Sequence, residues 1–144
     1  MSLFHYLRDP GADGVGVAFT SAGLNLSDAQ EPAARTAAFG DLIRAIGADV
    51  AVVRQVHGST VLRARRGASA FVDLTNHEAD ALITDEAGLA VAVRAADCVP
   101  VLFADAAAGL VGAAHAGRAG VLRGVVPATV AALREAGAHD LRAW

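Results

Sequence analysis

Two histidines and the chain's single cysteine stand out by type and spacing. They are His57 in Arg54-Gln55-Val56-His57-Gly58, Cys98 in Ala96-Asp97-Cys98-Val99-Pro100, and His115 in His115-Ala116-Gly117. Each falls at the start or end of a short apolar run, where polar side chains are commonly presented. Cys98 opens the run Val99 to Phe103, and His115 closes the run Leu110 to Ala114, with Ala106 to Gly109 as the turn. That is hairpin spacing, so antiparallel neighbours bring thiol and imidazole side by side. Two imidazoles and a thiolate make a three-ligand zinc set, with a fourth position left for a water whose pKa zinc lowers to roughly 7. Spacing alone equally allows an inert buried cysteine with hydrogen-bonded histidines. It also allows a thiol nucleophile, with Cys98 attacking, His115 as base and Asp97 or Asp80 orienting it.

Other residues have two readings each. Asp97 and Asp80 are turn or cap residues, or partners that orient a ligand imidazole. Arg54 and Arg118 are surface charges, or they hold a phosphate by paired hydrogen bonds, with a helix start near Arg118 adding backbone donors. Asn25 reads on its own as a turn residue in an early loop. Arg63, Arg65 and Arg66 form a solvated edge or an anion dock. His77-Glu78 resembles half of a deaminase H-x-E motif, but the spacing is wrong and no P-C-x-x-C follows. His5 and His139 read as solvated.

The elements that must position these residues follow from periodicity. Val15 to Phe19, Val50 to Val53, Ala81 to Ile83 and Leu89 to Val93 read as further strands, with Val61 to Ala64 as a return strand. Met1 to Asp13 and Gly67 to Asn76 show no period and read as a lead-in and an excursion. Phe39, Leu42, Ile43 and Ile46 follow helical spacing, with Asp28 and Glu31 as a capping box, Pro32 in the first turn and Gly47 as the stop. Leu122 to Leu133 repeats at helical spacing, but Pro127 predicts a kink or two shorter helices, ended by Gly137. His139 to Trp144 reads as the start of a strand. Helices alternate with groups of strands, which is an α+β pattern.

Composition narrows the classes. At 144 residues and 54% hydrophobic, the chain supports one domain, 1–144, with a real core. No apolar run approaches the ~18 residues of a membrane span, and the N-terminus has no apolar signal core, so a cytoplasmic location is expected. One cysteine excludes an internal disulfide framework. A net charge of -3 with no basic stripe argues against nucleic acid. All 12 basic residues are arginine, which excludes a lysine Schiff base within this chain.

Three segments together resemble the family of YfiH or laccase-domain proteins, described both as multi-copper polyphenol oxidases and as purine nucleoside phosphorylases. They are Arg54-Gln55-Val56-His57-Gly58, Ala96-Asp97-Cys98-Val99-Pro100-Val101-Leu102 and His115-Ala116-Gly117; Ala79-Asp80-Ala81-Leu82 and Asn25-Leu26 also match. The resemblance implies zinc bound by His57, Cys98 and His115, and two mixed sheets packed face to face with outer helices, an α/β/β/α sandwich. It implies phosphorolysis of adenosine, inosine, guanosine and methylthioadenosine, and deamination of adenosine. Purine nucleosides and phosphate are then the expected partners. Cys98, His57, His115 and Asp97 are the expected catalytic group, and Arg54, Asn25 and Arg118 the expected substrate contacts. A monomer is the working expectation. Where the family has Trp-Arg-Gly after H-A-G, this chain has Arg118-Ala119-Gly120, and the loop before Asn25 is short, Thr20-Ser21-Ala22-Gly23. Family members continue past the Trp144 position, so the sandwich is expected to be incomplete at the C-terminal end.

Three other functions compete. A polyphenol oxidase could use His2Cys to hold copper, but a multi-copper centre needs a ligand set for each ion, and the chain has five histidines and one cysteine. Zinc is therefore preferred to copper. A metal-independent cysteine hydrolase editing peptidoglycan precursors would use Cys98 as nucleophile. An inactive, truncated metal-binding remnant is the third.

Overall fold

A computed structural model describes residues 2–144. In chain order the elements are β1 (Phe4–Arg8), β2 (Val17–Thr20), α1 (Pro32–Ile46), β3 (Asp49–Arg54), β4 (Val61–Arg63), β5 (Phe71–Glu78), β6 (Ala81–Thr84), β7 (Leu89–Val91), β8 (Val99–Asp105), β9 (Leu110–Ala116), α2 (Arg118–Leu122), α3 (Val125–Glu135) and β10 (Arg142–Ala143). The strands form three sheets: β1-β2, β5-β3-β7, and β10-β8-β9-β6-β4. The five-stranded sheet is mixed, because β4 and β6 run parallel while β6-β9, β9-β8 and β8-β10 are antiparallel. The three-stranded sheet is wholly parallel.

Alternation along the strands explains the layers. In β3, Val50 and Val52 face α1 and join Leu24, Phe39 and Leu42 in one apolar cluster. The intervening Ala51 and Val53 point the other way and meet Val72, Leu82 and Leu89 between the sheets. In β6, Ala81 and Ile83 face α3 and pack with Phe103, Val125 and Leu133. Both faces of these central strands are therefore buried, which is why they read as continuous apolar runs. The order α1, three-stranded sheet, five-stranded sheet, α3 is an α/β/β/α sandwich, as expected, though only one of its two sheets is mixed. Val15, just before β2, and Val17 within it cover part of β8 at Ala104.

Several local expectations change. The lead-in contains β1, an exposed strand paired with β2. Strand β5, eight residues long, begins inside the excursion and runs on to Glu78, and its outward face is polar and hides the strand period. The strand Val61–Arg63 does not return beside β3; it crosses to the other sheet and pairs parallel with β6. No capping box forms: α1 starts at Pro32 with Glu31 as N-cap and no side-chain cap, and Asp28 instead pairs with Arg35 and Arg94. Gly47 does end the helix, in the left-handed conformation. The second helical stretch is two helices, broken at Gly124 (φ 83°), with Pro127 in the first turn of α3.

Candidate metal centre

The topology gathers the ends of three strands. Because β3, β5 and β7 are parallel, their carboxyl ends lie along one edge. From that edge each strand hands the chain to the five-stranded sheet: β3 through His57 to β4, β5 through Asp80 to β6, and β7 through Cys98 to β8. His115 is the next-to-last residue of β9, opposite Pro100 of β8, and its backbone N–H donates to Asp80 O at 2.7 Å. The hairpin expectation therefore holds, and the two histidines and the cysteine converge. One donor atom from each of His57, Cys98 and His115 lies within 4.8 Å of the others. Cys98 Sγ is 3.8 Å from His57 Nε2, and the two imidazole centroids are 4.8 Å apart. His57 is exposed, Cys98 half-buried and His115 buried.

The loop that carries His57 is held from several sides. His57 has φ 58°, the one left-handed non-glycine residue among the described residues. Its carbonyl accepts a hydrogen bond from Arg123 Nη1 at 2.6 Å. The side chain of Gln55 pairs with the Arg94 backbone in both directions, Nε2 donating to the carbonyl at 2.6 Å and Oε1 accepting the N–H at 2.7 Å. This bond pair ties the His57 loop to the segment that delivers Cys98. The Arg94 guanidinium reaches Asp28 and the Val53 carbonyl.

Asp80 lies beneath the cluster and is fully buried. Its Oδ1 accepts the His57 backbone N–H at 2.9 Å, and its Oδ2 accepts those of Val56 and Gly58 at 3.1 and 2.7 Å. His115 Nδ1 is 2.8 Å from Oδ1. Burial opposes ionisation of this carboxyl, but the bonds from His115, Gly58, Val56 and His57 outweigh it, so its pKa lies below the ordinary value.

Two observations show that the cluster suits a metal. The donors are a cysteine sulfur and two imidazoles, a zinc set, and tetrahedral zinc would space them roughly 3.5 Å apart. The sulfur and the nearer imidazole nitrogen stand close to that spacing. The second is Gly117, where a Cβ would lie 2.8 Å from His57 Cδ2 and 2.9 Å from Cys98 Sγ. The space between the donors exists because this residue has no side chain.

The other candidates spread out. Asp97 is exposed, and no hydrogen bond joins it to the cluster among the described residues. Asn25 is exposed, and its Oδ1 accepts the Ser27 N–H. Arg54 is exposed and paired with Glu78, and Arg118 is exposed at the start of α2. Arg63, Arg65 and Arg66 pair with Asp85, Glu86 and Asp49, which is a salt-bridged edge. Sequence reasoning missed Gln55 and Arg123. Gln55 had only its place in the motif as a signal, and Arg123 had none.

Fold and cluster together define an α+β two-sheet sandwich with three side chains that could hold a metal gathered where its parallel strands cross between sheets. Residues 10–144 match the family described as Multi-copper polyphenol oxidoreductase laccase, and the chain belongs to that family. Purine nucleoside phosphorylase SCO2081 of Streptomyces coelicolor is 44% identical over a 124-residue alignment that covers 83% of this chain and 50% of that protein. Among solved structures, YlmD from Geobacillus stearothermophilus has a TM-score of 0.68 at 28% identity, covering 95% of this chain and 52% of the other. The hypothetical protein YfiH of Bacillus licheniformis has a TM-score of 0.66 at 26% identity, covering 83% and 49%. The chain thus spans about half the length of the relatives it matches.

Proposed function

We propose that this chain is the zinc-site portion of a purine nucleoside phosphorylase acting on adenosine, inosine, guanosine and methylthioadenosine, with adenosine deaminase activity. The observation that carries the reading is the convergence of His57, Cys98 and His115, from three distant stretches, within 4.8 Å. Relatives named purine nucleoside phosphorylase support the substrate class. His57, Cys98 and His115 would hold the zinc, which when bound supplies Lewis acidity and an acidified water. Phosphorolysis forms a bond from phosphate oxygen to ribose C1′ and breaks the C1′–N9 bond, and the purine leaves with a proton on its ring. Deamination adds water at C6 and expels ammonia.

The chain's own groups have assigned parts in these reactions. Asp97 exchanges a proton with the reacting groups, a reading supported by its exposure next to Cys98. Asn25 contacts the nucleoside, supported by its loop, whose Asp28 pairs with the Arg94 that is bonded to Gln55. Arg54 and Arg118 hold phosphate, supported by their charge and their position one short loop from His57 and His115. Zinc is preferred to copper on the donor set and on the supply of His and Cys. A thiol nucleophile is less well served: Cys98 Sγ contacts His57, whereas the orienting carboxylate contacts His115. Zinc-loaded protein should release hypoxanthine from inosine only when phosphate is present, and Cys98→Ala should lower the rate at least ~100-fold. Fully metallated protein with no turnover overturns the catalytic reading for this chain.

A further inference from the structure

The geometry points to Asp80 as the residue that builds the metal centre before any metal arrives. This deepens the zinc reading above and rests on it. A single carboxylate touches both imidazole ligands by different routes. Through Oδ1 it meets the ring of His115, and through both oxygens it meets three successive backbone N–H groups, those of Val56, His57 and Gly58.

Each contact fixes something different. A carboxylate only accepts, so the His115 nitrogen facing it must carry the proton. That sets the Nδ1–H tautomer and leaves Nε2 with the lone pair a metal needs. On the other side, three amides converging on one carboxylate hold His57 in a left-handed conformation that a histidine would otherwise adopt rarely. Asp80 is fully buried, and its own backbone is pinned as well: its N–H donates to Thr60 O at 3.0 Å and its carbonyl accepts from His115 N at 2.7 Å. It is therefore a rigid support and not a ligand. Asp80 acts as a positioning residue for two ligands at once, one by tautomer and one by backbone shape.

The substitution Asp80→Asn keeps the size but supplies an amide whose NH2 must face either the His115 ring and the His57 N–H, where Oδ1 stands, or the N–H groups of Val56 and Gly58, where Oδ2 stands. Turned toward His115, it favours the Nε2–H tautomer and blocks the metal-binding nitrogen. The test uses the metal-free protein with 15N-labelled histidine, in which long-range proton–nitrogen NMR at pH 8 reads each tautomer. In the wild type His115 is expected as Nδ1–H; an Nε2–H tautomer there overturns the inference with no variant needed. In Asp80→Asn the tautomer should switch, and zinc affinity by chelator competition should fall about 10- to 100-fold. Val52→Ala, which trims the core under α1 and touches none of these groups, should keep wild-type affinity and so controls for lost stability. If the wild type binds zinc and Asp80→Asn binds it equally well, the inference fails while the metal centre stands. If the wild type binds no zinc, the metal reading fails, and the tautomer measurement still decides what Asp80 does to His115.

Discussion

Gly117 leaves room that any other residue would fill. Its backbone angles, φ −72° and ψ 160°, are open to alanine, so Gly117→Ala is a steric change at the cluster and not a backbone one. A methyl there would sit 2.8 Å from the His57 ring and 2.9 Å from the Cys98 sulfur. We expect the variant to lose zinc affinity by ~100-fold or more while its metal-free melting temperature changes by only a few degrees. Retained affinity would mean that the donors approach the metal from another side. The three donors were legible in the sequence because each stands beside an apolar run that ends in small residues. Asp80 was legible only as one of two carboxylates. Choosing it over Asp97 needed burial, and burial depends on β5 and β6 delivering Asp80 under the cluster while the Cys98 segment leaves Asp97 in solvent. The bond from Arg123 to the His57 carbonyl spans 66 positions and left no local signal.

Strands and turns set how firmly these residues are held. Most strands were readable because their two buried faces make unbroken apolar runs, but β5 was not, since Asp73, Thr75, Asn76, His77 and Glu78 make it polar at one edge of its sheet. Without β5 the alternation between sheets could not be seen, and with it goes the reason the crossovers share one edge. At the opposite end of β8, Asp105 locks two elements together. Its carboxylate accepts the N–H of Ala108 in the β8–β9 turn, and those of His139 and Asp140 ahead of β10, at 3.0, 2.7 and 2.8 Å. These bonds favour the charged form and hold its pKa at about 2, against 3.8 for a free carboxyl. The folded pKa is the lower one, so the stabilisation is fully present above about pH 4 and is lost as pH falls through about 2. Melting temperature measured from pH 5 to pH 2 should fall less steeply in Asp105→Asn than in the wild type. Parallel curves would show that Asp105 contributes nothing to the acid limb.

For the whole molecule, the cluster joins the two layers of the sandwich. His57 and Cys98 lie on separate crossovers from the three-stranded to the five-stranded sheet, and His115 belongs to the five-stranded sheet itself. One ion on all three would therefore bridge segments 41 and 17 residues apart in sequence, from His57 to Cys98 and from Cys98 to His115. Such a cross-link exists only in the folded state, so binding should stabilise the fold as a unit. At a free zinc concentration about 100 times Kd the gain is about 2.7 kcal/mol. With an unfolding entropy of about 2.1 cal/mol/K per residue, the 144 residues give about 0.3 kcal/mol/K, so the melting temperature should rise by about 9 °C. The transition should stay single, because the bridge spans both sheets and does not stiffen one of them alone. Scanning calorimetry with and without zinc, on wild type and Cys98→Ala, reads both quantities. A rise confined to one of two resolved transitions, or an equal rise in Cys98→Ala, would mean that the ion does not join the layers at this cluster.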